Sequence, residues 1–177
     1  LSAEVWPALA ATARSAAPAV LAFHGPDRAA QEAAARRLAH ELGRPLLLVA
    51  LDPLVKDGLA ARRAVHLALR DARLTGAIPA LFGWEAVFSD GAVPADVLAE
   101  LCAHPDWAVA AGRTEWQAAG GPRDRRLVWA AFPLPGYGQR QALWHHFAGA
   151  LGSPDSPRRK QREQASAELA ALAGQFA

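Results

Sequence analysis

Residues 19–42, AVLAFHGPDRAAQEAAARRLAHEL, decide the fold. This stretch begins as a short apolar run, turns at Gly25 and Pro26, and continues as a long alanine-rich helix pattern. Helix patterns then alternate with four further apolar runs, at 45–52, 77–82, 107–111 and 127–132. Because such alternation is typical of α/β proteins and doubly covered strands are apolar throughout, we expect a five-stranded parallel sheet sandwiched by helices.

The same pattern predicts where the elements lie. The strand that begins near Ala19 should lie in the centre of the sheet, with Gly25 at its carboxyl end facing a crevice. The strand that begins near Ala77 should run parallel to it in the same sheet. The helix patterns cover residues 3–16, 28–42, 59–74, 95–103 and 137–151.

The composition excludes several classes of protein. The chain has 177 residues, 52% of them hydrophobic and 20% charged, which is a globular balance. A formal charge of only +2 does not favour nucleic acid as a partner. Cys102 is the single cysteine, so no internal disulfide forms, and no apolar run approaches a membrane span. We therefore expect a cytoplasmic protein with no membrane partner.

The turn after the first strand lies where a phosphate-binding loop would lie. Such a loop reads Gly, four residues, Gly, Lys and then Ser or Thr, and its backbone N–H groups bind phosphates at a helix N-terminus. In this register the chain has Gly25, Pro26, Asp27, Arg28, Ala29, Ala30, Gln31 and Glu32. Only the first glycine of the motif is present.

Each departure from the motif weakens phosphate binding. Ala30 replaces a glycine that lets the backbone approach the phosphates, and Gln31 replaces the lysine that neutralises them. Glu32 takes the place of the hydroxyl that holds Mg²⁺, where it is expected to face the phosphates together with Asp27. Like charges at ~4 Å repel by ~4 kcal/mol at an effective dielectric constant of ~20, so these acids oppose nucleotide binding.

Four later segments carry a resemblance to a known family. They are residues 68–85 (ALRDARLTGAIPALFGWE), 110–116 (AAGRTEW), 132–144 (FPLPGYGQRQALW) and 170–176 (AALAGQF). In order, they resemble the Walker B passage, the sensor-1 strand end, the strand and proline turn leading to the lid, and a lid helix of AAA+ ATPases. More narrowly, the chain resembles the degenerate N-terminal AAA module of bacterial tandem-AAA ATPases, some of which accompany contractile injection systems.

The resemblance implies a P-loop NTPase sheet of the AAA+ type, with strand order 5-1-4-3-2. It also implies that no catalytic residue is intact, because Phe82 and Gly83 stand where the Walker B carboxylates belong. Glu85, two residues further on, is the remaining candidate for a catalytic base. Three arginines in the loop before the fifth strand are candidate arginine fingers: Arg123, Arg125 and Arg126.

The predicted domain organisation has two parts. Residues 1–151 form the degenerate AAA+ α/β core, and residues 152–177 form a linker and the first lid helix. The chain begins at Leu1, contains no Met and stops at Ala177 within a helix pattern, so we expect a piece of a longer protein.

The sequence therefore predicts a non-hydrolysing module with a structural, regulatory or oligomerisation role in a larger ATPase. No cofactor or metal is expected in this domain, whereas the parent protein would use ATP and Mg²⁺. The expected partners are the catalytic AAA module of the same polypeptide and neighbouring subunits, whose arginines would face Asp27 and Glu32. Two alternatives stay open: an active ATPase with unusual Walker motifs, and a nucleic-acid-binding module that uses the basic stretch 158–162.

The tryptophans are expected to divide between surface and core. Trp6, Trp84, Trp116 and Trp144 lie at the edges of predicted elements, where aromatic residues often anchor interfaces. Trp107 and Trp129 lie within strand patterns, which favours core packing.

Overall fold

Strands and helices alternate along the chain. The computed structural model describes residues 5–14, 17–117 and 125–150. The strands are β1 (Val20–His24), β2 (Leu46–Ala50), β3 (Ile78–Phe82), β4 (Ala108–Ala111) and β5 (Leu127–Ala131). The helices are α1 (Val5–Arg14), α2 (Arg28–Glu41), α3 (Leu51–Lys56), α4 (Ala61–Thr75), α5 (Ala95–Cys102) and α6 (Tyr137–Ala150), with a 3₁₀ helix at Trp84–Val87.

The five strands form one parallel sheet in the order β2-β3-β4-β1-β5. Counted from the β5 edge, this order reads 5-1-4-3-2, the succession that the family resemblance implied. β1 pairs with β4 on one side and with β5 on the other, so it is an interior strand but not the middle one. β3 runs parallel to β1 in the same sheet, which confirms that expectation.

Helices cover both faces of the sheet. Successive side chains of a strand point to opposite faces, and β1 shows the consequence. Leu21 and Phe23 pack in a cluster with α1 and α2, whereas Val20 and Ala22 pack in a second cluster with α3, α4 and α5. All four side chains are buried, and burying a large apolar side chain stabilises a fold by about 1.5–3 kcal/mol. The expected helix–sheet–helix sandwich is therefore present.

One secondary-structure prediction was wrong. The apolar run 45–52 predicted a strand through Asp52, but β2 ends at Ala50 and α3 begins at Leu51. A run of apolar residues does not by itself distinguish a strand from the first turn of a buried helix. Pro53 lies in the first turn of α3, where its missing N–H is tolerated.

The tryptophan predictions also need correction. Trp84 and Trp116 are buried and lie 5.8 Å apart between ring centroids, so they belong to the core rather than to an interface. Trp129 was expected in the core, yet it is 40% exposed on the edge strand β5. Its indole N–H donates to the Trp116 carbonyl oxygen at 3.1 Å, so it closes the end of this aromatic stack.

Two arginines connect the strands at their amino ends. Arg44, just before β2, donates to the Gly76 carbonyl oxygen at 2.8 and 3.0 Å and also forms an ion pair with Asp106. Arg125, just before β5, donates to the Pro18 carbonyl oxygen at 3.2 Å and to the Asp106 carbonyl oxygen. Because these acceptors precede β1, β3 and β4, the two guanidinium groups link the starts of all five strands.

Asp106 is the shared partner of this amino edge. Burial acts to raise its pKa, but hydrogen bonds from the Arg44 side chain and from the Trp107 backbone N–H, together with the charge of Arg44, hold the pKa below its ordinary value. The carboxylate is therefore kept ionised and engaged.

The chain divides into two compact units, Leu1–Pro133 and Leu134–Ala177. This division falls before α6, whereas the predicted boundary lies between residues 151 and 152. The predicted linker and lid helix, residues 152–177, lie outside the described residues. Within the described ranges, no helix has the length and apolar character needed to cross a membrane.

Replacing Arg125 with methionine tests the amino edge. The variant keeps the length of the side chain but leaves the Pro18 and Asp106 carbonyl oxygens without these donors, so the free energy of unfolding should fall by roughly 1–3 kcal/mol. Chemical denaturation measures the loss. Arg63→Met, at an exposed position of α4, is the control and should change stability by less than about 0.5 kcal/mol. Equal losses in the two variants would contradict the role given to Arg125.

Candidate functional site

A crevice of about 390 Å³ opens at the carboxyl ends of the strands. This volume lies within the range of ligand pockets, and the carboxyl edge of a parallel sheet is where such folds bind ligands. Its polar lining comes from the β1–α2 turn, the start of α3, the 3₁₀ helix and the loop after β4. The lining residues include Gly25, Arg28, Gln31, Asp52, Glu85 and 111–114.

Gln31 joins two sides of this crevice. It lies in the first turn of α2 and is only 2% exposed. Its side-chain amide donates to the Gly25 carbonyl oxygen at 2.9 Å and to the Gly112 carbonyl oxygen at 2.8 Å. Both N–H groups of the amide are therefore used within the chain. Where the sequence comparison with the phosphate-loop motif expected a lysine, Gln31 forms a neutral hydrogen-bonded link between the β1 turn and the loop after β4.

Asp27 caps the helix that would otherwise receive an anion. Its carboxylate accepts a hydrogen bond from the Ala30 backbone N–H at 2.9 Å, as an N-cap residue does. The dipole at a helix N-terminus favours negative charge, and here the chain supplies that charge itself. The Ala30 N–H is therefore already bound within the chain, although Asp27 itself does not line the crevice.

The backbone conformation and packing at position 25 require a glycine. Its φ is +122°, a conformation that L side chains rarely adopt. A Cβ atom there would overlap the backbone carbonyl of Phe132, which follows β5. The Gly25 N–H donates to the Arg113 carbonyl oxygen at 3.0 Å. Close approach to β5 thus explains this glycine without any phosphate.

The remaining residues of the predicted loop differ in whether they line the crevice. Glu32 forms an ion pair with Arg36 at 2.6 Å and does not line the crevice, so the expectation that it faces the phosphates needs correction. Arg28 does line the crevice, and its guanidinium lies 5.4 Å from the centre of the Phe82 ring. Five residues of the predicted loop are absent from the crevice lining: Pro26, Asp27, Ala29, Ala30 and Glu32.

Glu85, the candidate catalytic base, holds the loop after β4. Its Oε1 accepts hydrogen bonds from the backbone N–H groups of Arg113 and Thr114, the latter at 2.7 Å. Gly112 makes room for this contact, because a Cβ atom there would overlap the Glu85 carboxylate. One carboxylate oxygen is therefore committed to shaping the loop.

Asp52 lines the crevice but was not singled out from the sequence. It lies in the first turn of α3, and its carboxylate packs directly against Gly83, where a Cβ atom would overlap it. An acidic residue immediately after an apolar run is the signal that could have found it, because that position lies at the carboxyl edge of the sheet.

Two of the three candidate arginine fingers, Arg125 and Arg126, do not line this crevice of their own chain. Arg125 lies at the opposite, amino edge and donates to carbonyl groups of its own chain. The Arg126 carbonyl oxygen accepts a hydrogen bond from the Val20 N–H at 3.0 Å, at the same edge. Arg123 lies outside the described residues, as does the basic stretch 158–162.

The described residues place no three His, Cys, Asp or Glu side chains where they could hold a metal ion together. Comparisons with known proteins give no assignment either. No protein-family model matches the sequence, and no curated protein matches it. What the chain does therefore has to be inferred from its own contacts.

Replacing Gln31 with leucine tests the link across the crevice. The variant has a side chain of similar size but leaves the Gly25 and Gly112 carbonyl oxygens without their donor. The free energy of unfolding should therefore fall by roughly 1–3 kcal/mol. The neighbouring variant Glu32→Gln loses only an exposed ion pair and should cost about 0–1 kcal/mol. Denaturant titration compares them, and a harmless Gln31→Leu change would show that the link is not needed.

Proposed function

We propose that this chain is a non-hydrolysing, AAA+-like module with a structural or regulatory role in a larger ATPase. The observation that carries the proposal is the state of Gln31. It occupies the position of the phosphate-binding lysine, and both of its donors bind backbone carbonyl groups. The interactions that a nucleotide would make with this position are replaced by interactions within the chain.

The fold supports the assignment to this type of module. A parallel sheet with β1 between β4 and β5 and helices on both faces is compatible with a P-loop NTPase of the AAA+ type. The β1–α2 turn and the end of β4 meet at one crevice, which is where the resemblance puts a nucleotide. The proposal is thus that the architecture is kept while the chemistry is absent.

Hydrolysis would lack its usual groups. β3 ends at Phe82 and is followed by Gly83, so neither position supplies a carboxylate for Mg²⁺ or for orienting water. Glu85 has one oxygen bound to backbone N–H groups. Asp27 is turned toward its own helix. These contacts favour a module that does not turn over ATP.

The alternative of an active ATP-binding domain used backbone N–H groups of the loop, Arg28 and the finger arginines; the structure adds Arg113 to Arg28 at the crevice. Both arginines line the crevice and could face phosphates, although neither occupies the position of the motif lysine. Asp27 at the helix N-terminus opposes this alternative by its negative charge. A nucleotide titration separates the two proposals.

The proposed partners are the catalytic module of the same polypeptide and neighbouring subunits. The acids expected at the interface, and Arg125, already have partners within the chain. Asp27 and Glu32 were expected to face a neighbour's arginines, but Asp27 caps α2 and Glu32 pairs with Arg36. Arg125 likewise donates to its own chain. A neighbour's arginines would therefore have to compete with these contacts, so ion pairs at this surface would contribute little to assembly.

Isothermal titration of this chain with Mg·ATP and with ADP should show no binding at high micromolar nucleotide. The physical reason is the missing lysine charge together with the Asp27 carboxylate at the helix N-terminus. A dissociation constant in the low micromolar range would favour the active alternative.

The variant Ala30→Gly, Gln31→Lys, Glu32→Thr is the matched comparison, provided that its circular dichroism shows a folded protein. It should gain nucleotide affinity but no hydrolysis, because Phe82 and Gly83 are unchanged.

The proposed role in assembly is tested by sedimentation. This chain alone should sediment as a monomer, because exposed ion pairs contribute only ~0–1 kcal/mol each. The same chain joined to its catalytic module should assemble when ATP is added. A stable ring formed by this chain alone would show a much stronger interface than proposed, and a longer protein that stayed monomeric with ATP would remove the proposed role.

A further inference from the structure

The amino edge of the sheet contains a buried histidine without a hydrogen bond. His104 lies between α5 and β4 and is 2% exposed. Neither Nδ1 nor Nε2 has a hydrogen-bond partner in the described part of the chain. Buried polar atoms are nearly always paired, so an imidazole with both nitrogens unpaired is unusual.

Charged groups from several elements surround this ring. Arg73 comes from α4, Arg44 from the segment before β2, Arg125 from the segment before β5, and Asp106 from the segment before β4. The carboxylate of Asp106 already accepts hydrogen bonds from the Arg44 side chain and the Trp107 N–H. Cys102, at the end of α5, is also buried, and burial raises the pKa of its thiol, with Arg125 acting in the opposite direction.

We propose that His104 makes the amino edge of the sheet sensitive to acid, so that its protonation opens the contacts through which Arg44 and Arg125 hold the strands together. An imidazolium has two N–H donors and needs two acceptors. The one carboxylate beside it is engaged, and three guanidinium groups repel the new charge. Opening this edge would let water reach the ring. Water would then accept the imidazolium hydrogen bonds and weaken the repulsion from the guanidinium groups.

The direction of the pH dependence follows from the neutral state of the buried ring. Burial lowers the pKa of His104; Asp106 acts to raise it, and Arg73, Arg125 and Arg44 lower it further. An unfolded or opened chain takes up the proton near the ordinary histidine pKa of about 6.5, whereas the closed form does not. Stability is therefore complete above this value and is lost as the pH falls below it.

The crevice at the carboxyl edge should open less than the amino edge when the pH falls. None of its lining residues, all of them within the described ranges, is a histidine. Its central contacts, from Gln31 to Gly25 and Gly112, involve an amide and carbonyl groups that do not titrate. The proposed device thus acts on one end of the sheet, independently of whether the crevice binds a nucleotide.

Hydrogen exchange at about pH 7.5 and about pH 5.5, on either side of the ordinary histidine pKa of about 6.5, tests the proposal. After correction for intrinsic rates, amides at the amino edge should lose up to about tenfold in protection per pH unit below that value. Suitable probes are the N–H groups of Val20, Ile78 and Ala108, compared with Gly25 and Gly112 at the carboxyl edge.

Two variants separate titration from packing. His104→Phe removes the charge and the unpaired nitrogens, whereas His104→Gln removes the charge but keeps a polar group. Both should abolish the acid-induced loss of protection at the amino edge, even if their stabilities at neutral pH differ. His40→Gln, at an exposed position of α2, is the control and should retain the loss.

Two results would overturn the proposal. One is acid-induced exchange that persists in both His104 variants. The other is equal loss of protection at the amino and carboxyl edges of the unaltered protein, which would indicate general unfolding. Because nucleotide is absent from every sample, either result leaves the proposed function unaffected.

Discussion

The hydrogen bonds of the Gln31 amide are the contact on which the carboxyl edge of the sheet depends. Gly25 and Gly112 follow two neighbouring strands, and their carbonyl oxygens meet the same buried side chain. The turn at Gly25 is set further by its closeness to Phe132, and the loop after β4 by the carboxylate of Glu85. The walls of the crevice are thus held together by contacts within the chain, which is consistent with the proposed absence of a bound nucleotide.

The two edges of the sheet are stabilised by different chemistry. At the carboxyl edge, a neutral amide and one carboxylate bind backbone groups around a crevice. At the amino edge, Arg44 and Arg125 bind carbonyl groups around the buried His104. Guanidinium groups suit the second task because each presents several donors in a rigid plane. The amino edge therefore contributes to stability, while the carboxyl edge also forms the crevice described above.

Much of the fold could be predicted because its strands are apolar on both faces. β1 and β3 were found within one or two residues, and the parallel arrangement followed from the helices between them. The start of α3 was missed, since Leu51 and Asp52 continue an apolar run without a break in pattern. The tryptophans were misassigned for a related reason. Whether a residue lies at the edge or in the middle of an element does not show whether another element covers its side chain. Trp84, at an edge, is buried, whereas Trp129, within a strand, is partly exposed.

The sequence by itself determined the five strands and most of the helices, because the type of an element follows from local pattern, and it determined that the turn after β1 continues with Gln31 and Glu32 rather than with lysine and a hydroxyl residue. Only the tertiary structure decided what the replacing residues do. Gln31 meets a carbonyl group 81 residues away, and Glu85 meets N–H groups 28 and 29 residues away. Such contacts depend on which strands are neighbours in the sheet, and the local pattern of apolar residues identifies each strand without saying which distant strand it pairs with.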